Sequence, residues 1–131
     1  MENSLIMKEF LSANDFKIVE NLESESFGDT YAIYSDGNIL IKVVKDRSII
    51  SIHISSNNDQ NVSFDLPLIT ALIRKEDDLR GALTETEQYD FLSNHFTQIR
   101  SIFNPANYIS SKTELQILQK KRVQQMFNKK H

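Results

Sequence analysis

From Tyr31 to Ile54 the sequence reads YAIYSDGNILIKVVKDRSIISIHI, three strand-like runs separated by two tight turns. In the second run Ile39, Ile41 and Val43 fall on one face, with Leu40, Lys42 and Val44 on the other. In the third, Ile50, Ile52 and Ile54 share a face. Alternation with period two predicts pleated strands, and the isoleucine faces predict burial under helices. The mixed face of Leu40, Lys42 and Val44 predicts only partial cover. Asp36-Gly37 between apolar runs predicts a type I′ hairpin turn, which needs positive φ at both central residues. Lys45-Asp46-Arg47-Ser48 supplies the second turn.

Upstream, Ser4 is placed to cap a helix reaching about Ala13, with Leu5, Ile6, Phe10 and Leu11 along one stripe. Asn14-Asp15 breaks it, and FKIVENL then alternates as a half-buried strand. Downstream, Asp65 before Leu66-Pro67 predicts a helix start, with Phe64 positioned to staple onto Ile69. Ile69, Leu72 and Ile73 face the core, and KEDDLRG carries the helix to its end at Gly81. Thr84 with Glu87 forms a capping box that opens a helix whose Leu92, Phe96, Ile99 and Phe103 recur at helical spacing. Pro105 stops it. A last helix starts near Ser111 and carries Leu115, Leu118, Val123, Met126 and Phe127. The expected fold is one α+β domain over residues 1–131. It has an N-terminal helix, a four-stranded antiparallel meander (16–22, 30–35, 38–45, 49–55) and three C-terminal helices packed on one face.

Charge changes this picture. Residues 112–131 hold six cations against one anion, a charge of +5, whereas the other 111 residues hold nine cations and seventeen anions, −8. An acidic body with a basic terminal helix makes an uneven field able to steer a charged partner. Two acidic clusters stand out as partner-binding candidates. One is the loop Glu23, Glu25, Phe27 and Asp29, an aromatic rimmed by acids; the other is Glu76-Asp77-Asp78. Asp36 at the hairpin tip is an outlying third. The acids at 76–78 would oppose the macrodipole of the helix they were expected to end.

The residue types that carry chemistry are sparse. The chain has no cysteine, which removes disulfides and thiolate sites and suits a reducing compartment. Its three glycines, Gly28, Gly37 and Gly81, lie too far apart for a phosphate-cradling loop. His53, His95 and His131 have no carboxylate or hydroxyl partners at recognisable spacing. No catalytic residues, metal ligands or cofactor are expected, and the chain reads as non-enzymatic. Without an apolar run of membrane length or a signal-peptide pattern, it is expected in the cytoplasm. Lys120, Lys121 and Arg122 spread over roughly 200° of helix arc, so nucleic acid is not the expected partner. A nucleic-acid-associated regulator using the basic helix is the alternative.

The order of these signals resembles a group of small bacterial proteins that includes immunity proteins of toxin–antitoxin and polymorphic-toxin systems. The resemblance rests on Gly28 to Tyr34, on the strand ending Ile41-Lys42-Val43-Val44-Lys45-Asp46-Arg47, on Ile50-Ser51-Ile52-His53-Ile54, and on Phe64-Asp65-Leu66 opening a helix with Leu68-Ile69. It covers residues 16–75. It implies a non-enzymatic inhibitor that binds a toxin domain, and it carries no catalytic residues; with the acidic body, the expected partner is a basic toxin such as a nuclease.

Overall fold

The computed structural model describes residues 2–23, 30–47 and 49–127. Helix α1 (Glu2–Ala13) precedes strands β1 (Lys17–Glu23), β2 (Thr30–Ser35), β3 (Ile39–Asp46), β4 (Ile49–Ser56) and β5 (Ser63–Asp65). Helices α2 (Leu66–Arg74), α3 (Glu85–Asn94), α4 (Phe96–Phe103) and α5 (Tyr108–Phe127) follow. The strands form one antiparallel sheet in the order β1-β2-β3-β4-β5, so the expected α+β meander is present. It has one strand more than expected, because Phe64-Asp65 pairs with His53-Ile54 before the chain turns helical.

Cross-strand register divides the sheet into two faces. On one, Ile18, Tyr34, Ile41, Ile54 and Phe64 stand opposite one another in a row that crosses all five strands. Ile41, Ile54 and Phe64 are fully buried there with Ile39 and Ile52, against Leu68 and Ile69 of α2, Leu92 of α3 and Ile99 of α4. The isoleucine faces are therefore the core, as the alternation predicts. On the other face, Tyr31, Ile33, Leu40 and Val44 are half-buried and none joins that core.

Several local expectations are corrected. Helix α1 buries Met7 and Leu11 but leaves Ile6 62% exposed, so its stripe is rotated by a residue from the expected one. It closes on Asp15 in the left-handed region (φ 69), with the Phe16 amide donating to the Leu11 carbonyl. In β1 the register shifts between Ile18 and Glu20, a bulge that puts Ile18 and Val19 partly in solvent on an outer strand. Such a bulge discourages edge-to-edge pairing. The β2–β3 turn is not type I′: Ser35 pairs with Leu40, leaving four residues between, and Gly37 alone among them has positive φ (95°). The Asp36 carboxylate accepts from the Asn38 and Ile39 amides instead, so a side chain closes the turn.

Helix α2 ends at Arg74, not Gly81. Lys75 adopts the left-handed conformation (φ 56) and the Glu76 amide donates to the Ala71 carbonyl. The expected single helix from Thr84 to Pro105 is two. The capping box at Thr84 and Glu87 forms as predicted, and Leu92, Phe96, Ile99 and Phe103 are buried. At His95, however, the backbone leaves helical geometry (φ −119, ψ 25) and divides α3 from α4. Among the described residues four helices thus follow the sheet.

Candidate functional site

The face that the helices leave open is the natural place to look for function. Register aligns Glu20, Ile33, Lys42, His53 and Asp65 in one row across all five strands of that face. Beside it Tyr31 stands opposite Val44, and Val44 opposite Ser51. A strand facing water needs no large apolar residues on its outer side, yet β2 and β3 place Tyr31, Ile33, Leu40 and Val44 there. Half-exposed apolar groups gathered within a polar frame are the composition of a docking surface.

Tyr31 is held at the centre of a small network. Its hydroxyl donates to the Glu20 carboxylate, and the Lys42 ammonium sits 5.0 Å from its ring centroid. The hydrogen bond to Glu20 is the main cause that raises the Tyr31 pKa, so the phenol stays protonated. Acid, ring and cation therefore come from three adjacent strands, and the strand pairing fixes their spacing. Next in the row, the imidazole Nε2 of His53 lies 3.3 Å from the Ser51 hydroxyl. Burial lowers the His53 pKa; Asp65 opposes that and Lys42 reinforces it. Neutral imidazole is the state at neutral pH.

The residues singled out from sequence scatter. Glu23 ends β1, while Glu25, Phe27 and Asp29 lie outside the described residues. Asp36 is committed to architecture: its side chain is 8% exposed, closes the hairpin and pairs with Arg100 at 3.1 Å. Glu76, Asp77 and Asp78 are exposed and lie just beyond the end of α2. Asp78 forks onto Arg80 at 2.9 and 3.1 Å, which holds its carboxyl down at about 2. The Asp77 carbonyl accepts from Gln125, which also accepts from the Leu79 amide and ties this connection to α5.

The basic helix is partly consumed by the fold. Lys112 meets Asp59 at 2.8 Å, and Arg122 forks onto Asp65 at 2.7 and 2.8 Å. Tyr108 also donates to Asp59. Burial pushes the Asp65 carboxyl up, but the Arg122 hydrogen bonds and charge outweigh it and the net shift is down. Lys120 and Lys121 stay exposed. Leu115 is buried and Leu118 half-buried, whereas Val123, Met126 and Phe127 of the same helix are exposed.

Sequence reasoning passed over Gln88. Its side-chain amide accepts from the Ile52 amide at 3.0 Å and donates to the Ile50 carbonyl at 2.8 Å. These are the backbone groups of β4 beyond the reach of short β5, so one side chain stands in for the missing strand. Among the described residues no group of three or more His, Asp or Glu could hold a metal, and no helix is long and apolar enough to cross a membrane. No family model, curated protein or solved structure matches the chain, and the functional reading rests on its own geometry.

Proposed function

We propose that this chain is a non-enzymatic protein-binding domain of the immunity type, acting in the cytoplasm to mask a basic toxin domain such as a nuclease. The uncovered sheet face carries the reading. Tyr31 belongs to the residue types that dominate binding energy, and it stands among half-exposed Ile33, Leu40 and Val44 with a polar frame of Glu20 and Lys42. The occupant is basic because the chain outside residues 112–131 carries −8, and such a field accelerates encounter with a cationic partner. The exposed acids Glu76 and Asp77 add to that field.

The nucleic-acid reading of α5 is weaker, since Lys112 and Arg122 already neutralise acids of the same chain. Co-expression with the products of adjacent reading frames tests the proposal. A neighbour that is toxic alone and harmless beside this chain supports it. If no neighbour is toxic and rescued, the immunity reading is wrong. Binding to duplex DNA with a log–log salt slope near −0.9 per phosphate contact would favour the alternative.

A further inference from the structure

The helices do not close completely over the covered face. Between α1, α3 and the first strands lies a cleft of about 400 Å³. Its floor is apolar, from Ala32, Val43 and Ile50. Lys8 of α1 and Lys45 at the end of β3, both exposed, line it together with Tyr34 and Tyr89. Glu85, in the first turn of α3, is the one carboxylate among the described lining residues.

The polar groups here are unspent. Arg80, Arg100, Lys112 and Arg122 are each paired with an acid, whereas Lys8 and Lys45, like exposed Lys120 and Lys121, are not. Lys8, Lys45, Tyr34 and Tyr89 have no hydrogen bond or ion pair among the described residues. Tyr89 is only 7% exposed, and its hydroxyl has no hydrogen-bond partner among the described residues. Burial, with Glu85 and Tyr34 nearby, pushes its pKa to about 12, and burial raises Tyr34 as well. Both phenols are therefore neutral donors at physiological pH.

We propose that this cleft is a binding site for a small organic anion, an anionic group on a single-ring or short apolar body. Lys8 and Lys45 supply the countercharge, Tyr34 and Tyr89 donate to the anionic group, and Ala32, Val43 and Ile50 receive the apolar part. The volume lies within the range of small-molecule pockets, roughly 300–1,000 Å³, at its single-ring end. Among the described lining residues two cations stand against one carboxylate, a balance that favours negative charge. Tyr31 also borders the cleft, whereas Glu20 and Lys42 do not; a small anion needs no protein partner, so its binding is read separately from the protein-binding reading.

The test is a titration of the isotope-labelled full chain with benzoate, phenyl phosphate, inorganic phosphate and benzylammonium, followed by amide chemical shifts. At least one of the two ring anions should shift Ala32, Val43 and Tyr89 saturably, with a dissociation constant of roughly millimolar or tighter. Benzylammonium should not. Which ring anion binds distinguishes a carboxylate site from a phosphate site, and inorganic phosphate alone should bind more weakly than phenyl phosphate. Lys8→Glu with Lys45→Glu should weaken binding about tenfold or more, the loss of about 1.4 kcal/mol of charge pairing. Tyr89→Phe should weaken it several-fold with the fold intact. The proposal is overturned if neither ring anion saturates, if benzylammonium binds as well, or if the charge reversals leave affinity unchanged.

Discussion

Along β3, Ile41 is sealed under the helices while Lys42, the next residue, lies in solvent on the opposite face. The two faces share a backbone, a register and a set of hydrogen bonds, and differ only in what covers them. The row through Ile41, Ile54 and Phe64 has its partners inside the chain. The row through Glu20, Ile33, Lys42 and His53, with Tyr31 beside it, has few. Apolar residues that fold the protein and apolar residues available to a partner can therefore be told apart by face. Residue type alone does not separate them.

The sharpest way to break this contrast is to delete volume on each face in turn. Ile54→Ala or Ile41→Ala leaves a cavity in the core and should cost about 2–5 kcal/mol in a denaturant titration. Lys42→Ala, one residue from Ile41, should stay within about 0.5 kcal/mol. Equal losses on the two faces would mean that the open face is structural.

Gln88→Leu tests the sheet edge with a smaller expected effect. It keeps the bulk but leaves the Ile52 amide and Ile50 carbonyl unpaired, at roughly 2 kcal/mol. Hydrogen exchange at the Ile52 amide should accelerate at the same time. Unchanged exchange would show that the Gln88 amide is not what protects this edge.

Helix α5 is held by polar clamps around one buried leucine, so its attachment should be the more sensitive to pH. Asp65→Asn should cost about 1–2 kcal/mol. The Asp65 carboxyl is held below its ordinary value of 3.8, mainly by Arg122 acting against burial. Its contribution is therefore complete above the unfolded pKa and lost as pH falls through the lower folded one. Asp59, lowered by Lys112 and Tyr108, titrates in the same direction. Acid should loosen α5 while the Ile41–Ile54 core stays folded, visible as early exchange of α5 amides. Simultaneous loss of core and helix would contradict this account. The smallest stability effect belongs to Glu76, Asp77 and Asp78: reversing all three to Lys should leave the melting temperature nearly unchanged and slow association with a basic partner.

How much was legible in the sequence follows the range of the interactions. The isoleucine faces, the capping box at Thr84 and Glu87, and the stripe from Leu92 to Phe103 are local patterns, and each reads directly. Gln88 reaches Ile52 across 36 residues, and Arg122 reaches Asp65 across 57, with no periodicity to announce either. Val123, Met126 and Phe127 sit on a helix as the pattern indicates but are exposed, because sequence spacing does not say what covers a stripe. Tyr31 and Lys42 were visible only as members of strands. Their grouping with Glu20 depends on register and on the bulge after Ile18.

Rescue by a face variant tests the central claim most directly. Tyr31→Ala combined with Lys42→Glu should leave the melting temperature within a few degrees of wild type, because neither side chain belongs to the core. In cells producing the toxic neighbour, wild-type chain should restore growth and this variant should fail, with complex formation weakened by about 2 kcal/mol or more. If the folded variant protects as well as wild type, the uncovered face is not where the partner binds.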